Sequence, residues 1–125
     1  MEKAINIRKE LRKYGFIISV DDFGVGYFLL RYVQKLPFDE FKIDCSFTNK
    51  ITEKGTEAVV RAIIQLAQFF EMETVAEGIE SEEEASILKT IGCSAAQGFL
   101  YYKPMPIEQV ELLLDSLRSL LKIII

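Results

Sequence analysis

The sequence has no histidine and no tryptophan among its 125 residues. Without histidine there is no Ser-His-Asp triad, no imidazole base and no histidine-ligated zinc. The two cysteines, Cys45 and Cys93, stand far apart and form no CxxC pair. They are read as reduced packing residues of a cytoplasmic protein. Positive charge is also scarce: 15 Lys and Arg against 19 Asp and Glu leave a net charge of −4. DNA binding through a basic face is therefore excluded. No apolar run reaches the roughly 20 residues that span a bilayer. The opening "MEKAINIRKELRKYG" is a charged helical pattern and lacks the apolar segment of a signal peptide. Chemistry is left to carboxylates, lysines and amides. An anionic ligand on so acidic a chain calls for a local cation, and a divalent metal is the usual device.

What the sequence does contain is enough apolar material for one core: half of its residues are hydrophobic and 27% are charged. A single domain over residues 1–125 follows. Lys3–Tyr14 reads as a helix stopped by Gly15. Phe16–Val20 reads as a strand buried on both faces. "YFLLRYVQKLP" is a helix ending before Pro37, and "FKIDCSF" (Phe41–Phe47) the next strand. Thr56–Phe70 is an amphipathic helix with Val59, Ile63, Leu66 and Phe70 on one side. Glu73–Ile79 is a third strand. Ser81 and Glu84 form a capping box for the helix that Gly92 ends. Ser94–Tyr102 is the fourth strand, and "PIEQVELLLDSLRSLLKIII" the last helix. Alternating strands and helices imply a parallel sheet with right-handed crossovers.

Each strand delivers polar residues to its carboxyl end, where parallel α/β folds carry their sites. Asp21 and Asp22 close the first strand. On a regular strand neighbours point to opposite faces, so the pair is placed just past the strand end, where the chain turns into the Gly24/Gly26 loop. Paired carboxylates suit Mg²⁺ or Mn²⁺, but Asp also favours turns and helix caps. Lys42, between Phe41 and Ile43, either contacts water or phosphate or forms an ion pair with Asp44 or Glu77. Glu77 is a candidate metal or water ligand. Glu80 either touches substrate or begins a helix, where acids are favoured. Gln97, before Gly98, can hydrogen-bond a ligand.

Taken in order, "DDFGVGY", "LPFDEFKIDCSF", "VVRAIIQLAQFFEMETVAEGIES" and "LKTIGCSAAQGFLYYKPMP" resemble the C-terminal half of the EAL domain, the family of bacterial cyclic di-GMP phosphodiesterases. The resemblance covers nearly the whole chain. It implies an α/β fold, a parallel (βα)4 half of a TIM-type (β/α)8 barrel preceded by a helix. The family's reaction uses two Mg²⁺ or Mn²⁺ ions to open cyclic di-GMP to the linear dinucleotide. By resemblance Asp21 bridges the metals and Asp22 serves the second. Lys42 positions the attacking water, Glu77 joins the metal-water cluster, Glu80 supports the loop after "DDFG", and Gln97 lies at the catalytic rim.

The departures are definite. The Glu-Ala-Leu triplet is absent, as are the asparagine and further glutamate of the first metal site; in the family they belong to the preceding half of the barrel. Val25 stands for a threonine, Phe28 and Leu29 for serines, and Cys45 for the arginine after "KID". Two ions need about six oxygen ligands each, and Asp21, Asp22 and Glu77 are too few. Weak or absent turnover is therefore expected of this half alone, and a module for nucleotide binding or protein interaction is the alternative. Four parallel strands also leave two open edges and one bare face, from which a homodimer is expected, with an open sheet covered by helices on both faces as the other possibility.

Overall fold

The structure, a computed structural model, describes residues 2–23, 34–35 and 38–124, and of 22–23 and 120–124 the backbone alone. Gly24, Gly26 and the helix expected over 27–36 lie outside the described residues, apart from a turn at Gln34–Lys35.

The described chain begins with α1 (Glu2–Lys13), followed by β1 (Ser19–Phe23) and β2 (Glu40–Ile43). A one-turn helix, α2 (Cys45–Thr48), leads to α3 (Lys54–Phe69) and β3 (Glu73–Ala76). Then come α4 (Glu82–Thr90), the two-residue β4 (Ala95–Ala96) and α5 (Ile107–Ile124). The four described strands form one parallel sheet in the order β1-β2-β3-β4.

Strand periodicity separates the two faces of this sheet. Phe41 and Ile43 of β2, and Thr74 and Ala76 of β3, are fully or almost fully buried. They pack with Val60, Ile63, Ile64 and Ala67 of α3 and with Leu88 of α4. The alternate residues Glu40, Lys42, Glu73 and Val75 are only partly covered or exposed. Among the described residues, helices therefore shelter one face, and the other is only partly covered. The expectation of a first strand buried on both faces fails here: Ile17 is 74% exposed and lies before β1. Its apolar composition suits a strand with cover on both sides, and the described residues supply cover on one.

Local signals explain most element boundaries. Gly15, at φ +82°, ends the turn after α1, and Gly92, at φ +94°, ends the turn after α4. Ser81 and Glu84 form the anticipated capping box. The second strand is shorter than expected, because Asp44 caps α2 by accepting a hydrogen bond from the Ser46 amide at 2.9 Å. The fourth is much shorter, since the chain leaves the sheet at Gln97. On α3 the buried stripe is Val60, Ile63, Ile64 and Ala67, while Val59 is 46% exposed, so the helix is rotated from the expected face. Cys93 packs against the core, but Cys45 is exposed at the start of α2 and is not the packing residue expected.

Asp39 joins the amino end of the sheet to α1. Its carboxylate takes Arg12 at 2.9 Å, Arg8 at 3.5 Å and the Ile18 amide at 2.9 Å. At the other side, the Thr74 amide donates to Ser94 Oγ at 3.1 Å, and the Ser94 amide donates to Thr74 Oγ1 at 3.2 Å. This reciprocal pair sets β4 beside β3.

Candidate active site

The carboxyl end of the sheet is built from the loops that leave β2, β3 and β4. Glu77 directly follows β3, and its amide continues the ladder by donating to the Ile43 carbonyl at 3.0 Å. Its carbonyl accepts a hydrogen bond from Thr48 Oγ1, a fully buried hydroxyl. Gly78 then turns the chain at φ +69°, where a Cβ would come within 2.6 Å of Cys45 Cβ. A side chain there is both strained and obstructed, so glycine is what lets this loop lie on α2.

The loops after β3 and β4 interlock. The Gln97 amide donates to the Ala76 carbonyl at 2.8 Å, and the Ile79 amide donates to the Gln97 carbonyl at 3.0 Å. The Leu100 amide then donates to the Ile79 carbonyl at 3.0 Å. A Cβ on Gly98 would overlap the backbone of Ile79. Main-chain bonds and a close backbone approach thus hold Glu77 and Gln97 on adjacent strand ends.

Lys42 Nζ lies 3.5 Å from Glu77 Oε1, with the two side chains 30% and 23% exposed. Of the two roles open to Lys42, the structure displays the ion pair with Glu77. Asp44 is engaged in capping α2. The pair lies on the sheet face opposite Phe41 and Ile43 and is partly exposed.

Asp21 and Asp22 lie within β1, not beyond it as expected. The reason is a shift in register. Val20 pairs with Phe41 and Phe23 with Ile43, so three steps on β1 oppose two on β2. The surplus residue is a bulge at the Asp21–Asp22 step, a distortion that re-aims side chains next to sites. Asp21 is exposed; the side chain of Asp22 lies outside the described residues. Glu80 is exposed, and its amide donates to Glu84 Oε2 at 2.9 Å, at the mouth of α4. The loop that Glu80 was expected to support lies outside the described residues.

The structure therefore brings Lys42 and Glu77 into contact and sets Gln97 on the next strand end. Asp21 shares their sheet and Glu80 stands at its rim. Among the described residues, no three carboxylates or thiols converge to hold a metal ion. The donors suit a hard divalent ion in kind, being carboxylate oxygens, but they do not fill two such sites in number. Thr48 and Gly98 escaped the sequence reading. A single threonine in "SFTNK" and one glycine in "QGF" carry no chemical signature, although both set the backbone on which the site rests.

Residues 1–104 match the EAL domain. The chain belongs to the EAL family. It is 40% identical over 110 residues to MucR of Pseudomonas aeruginosa, described as a bifunctional diguanylate cyclase/cyclic di-GMP phosphodiesterase. That match takes in 87% of this chain and 16% of MucR. The solved EAL domain of Mycobacterium smegmatis DcpA has a TM-score of 0.86 at 39% identity, over 92% of this chain and 52% of that one. Klebsiella pneumoniae BlrP1, solved as a manganese/cyclic di-GMP complex, has a TM-score of 0.69 at 31% identity, over 76% of this chain and 24% of that one. The parallel sheet and its helices are thus part of the EAL TIM-type barrel, and this chain spans about a sixth of MucR and half of the DcpA domain. EAL relatives carry cyclic di-GMP with manganese or calcium in their structures. No described helix is long and apolar enough to cross a membrane.

Proposed function

We propose that residues 1–125 carry, within one EAL unit, one half of a cyclic di-GMP phosphodiesterase site whose turnover by these residues alone is weak or absent. The observation that carries this reading is the Lys42–Glu77 pair, at 3.5 Å on the partly covered face, in a sheet whose first strand is bulged at Asp21–Asp22. Asp21 and Asp22 act as carboxylate ligands of Mg²⁺ or Mn²⁺. When bound, such an ion lowers the pKa of water and offsets charge on a phosphodiester. Lys42 orients the attacking water or meets a phosphate oxygen, and Glu77 holds the Lys42 ammonium in place. Gln97 offers an amide to the nucleotide at the rim, and Glu80 braces the neighbouring loop. The missing oxygen ligands come from whatever covers the face; a homodimer is one such assembly. A cytoplasmic location fits a cyclic dinucleotide substrate.

The test is incubation of the purified chain with cyclic di-GMP and Mn²⁺, following the linear dinucleotide by chromatography. Slow product formation that disappears in Asp21→Asn is the expected result. Product that persists unchanged in Asp21→Asn defeats the reading. A second reading, a degenerate module that binds nucleotide or protein without cleaving, is favoured by the lack of three converging carboxylates among the described residues. It predicts calorimetric binding of cyclic di-GMP with no product at any Mn²⁺ concentration.

A further inference from the structure

We propose that α5 is a docking helix for a second copy of this chain, the two copies of α5 lying antiparallel along one apolar seam. The pairing is independent of any turnover at Lys42 and Glu77. Three features of α5 argue for it.

The first is exposure. Ile107, Leu114 and Leu117 are 64%, 52% and 45% exposed, and Val110 is half-buried. The EAL match ends at residue 104, so α5 lies beyond it. An isolated helix of this length, 18 residues, is marginal in water and gains its stability from packing an apolar side. The second is spacing. Ile107, Val110, Leu114 and Leu117 follow one another at intervals of three, four and three residues, the a and d positions of a heptad. The sequence continues the series with Leu121 and Ile124.

The third is charge, and it decides between occupants. Glu108, Glu111 and Asp115 lie in the first half of α5, and Arg118 and Lys122 in the second. Glu111 and Arg118 form no ion pair among the described residues. In the heptad both take the e position, beside the seam. When two copies lie antiparallel with Leu114 against Leu117, Glu111 of each falls opposite Arg118 of the other. Both ion pairs form together, because a two-fold contact repeats every interaction. A parallel pair would instead set acidic half against acidic half, where like charges repel. An anionic membrane surface is disfavoured, because the three acids of the helix outnumber its two bases. The helix is thus complementary in charge to itself, reversed.

The test is sedimentation equilibrium of the full chain from about 1 µM to about 200 µM. The mass is expected to rise from one chain to two across this range. Leu114→Asp together with Leu117→Asp is expected to weaken the dimer at least tenfold while leaving the melting temperature at about 1 µM unchanged. Glu111→Arg and Arg118→Glu, made separately, are each expected to weaken self-association at least threefold. An equimolar mixture of these two variants should pair as tightly as the parent, because the mixed dimer restores both ion pairs. A misfolded variant cannot produce that rescue. A chain that stays monomeric at the highest concentration overturns the proposal. A dimer that survives the two aspartates overturns it, as does a mixture that regains no affinity. A monomer that instead sediments with vesicles of anionic lipid overturns it too and assigns α5 to a membrane surface.

Discussion

Gly98 shows how much of this site depends on backbone that carries no chemistry itself. A Cβ at Gly98 would overlap the Ile79 main chain, whereas one at Gly55, in the first turn of α3, meets nothing within 4 Å. Gly98→Ala is therefore expected to cost about 2–3 kcal/mol in urea denaturation, through overpacking that backbone cannot relieve. Gly55→Ala should instead stabilise by up to about 1 kcal/mol, by relieving the entropy cost of a helical glycine. Lys42→Met separates packing from chemistry. Its ion pair is partly solvated, so its loss is expected to change stability by less than about 1 kcal/mol in a thermal melt. Product formation, in contrast, should fall to background. At this scale the placement of Lys42 on a strand, and of Glu77 and Gln97 just after strands, was legible in the sequence. The Lys42–Glu77 contact was one of two pairings left open. Thr48 was illegible because its task, holding the Glu77 carbonyl, depends on a contact 29 residues away.

Among the elements, α4 is the one whose limits were plain, because its signals are local. Ser81 accepts from the Glu84 amide at 3.2 Å, and the Glu84 side chain returns to the Ser81 amide at 3.3 Å. Ser81→Ala is expected to cost about 1 kcal/mol, read as a lower urea midpoint with unchanged slope. For α3 the limits were also nearly right, but its buried stripe was not. Val59 and Val60 are both apolar, and the helical period fits a face starting at either. The sheet selects the second, and a helical wheel cannot see the sheet. Ile64 sits on the selected stripe and is fully buried, so Ile64→Ala should cost about 2–5 kcal/mol, against about 1 kcal/mol or less for Val59→Ala. The strands were legible in order and direction and poor in length. β2 stops because Asp44 finds an amide to cap, and the β3–β4 pairing loses its regular register where Gly78 turns the chain at φ +69°.

For the whole molecule, parallel order and barrel kinship were readable from alternation and from motifs in sequence. The partly covered face was readable only as a consequence of having four strands. The exposed apolar residues Phe99, Tyr102, Leu112, Leu114 and Leu117 are expected to bind a hydrophobic dye, read as a fluorescence rise that Leu112→Asp together with Leu117→Asp diminishes.

The misalignment of β1 against β2 has one more implication. Because Phe23 already faces Ile43 across the ladder, the strand contains one residue more than its neighbour requires. Excising Asp22 would straighten the pairing without displacing anything on either side of it. The shortened protein should fold at least as stably and should have lost the doubled carboxylate. On the proposed reading, one codon then carries the second carboxylate of the pair, and its removal is expected to leave the parallel pairing of β1 with β2 in place.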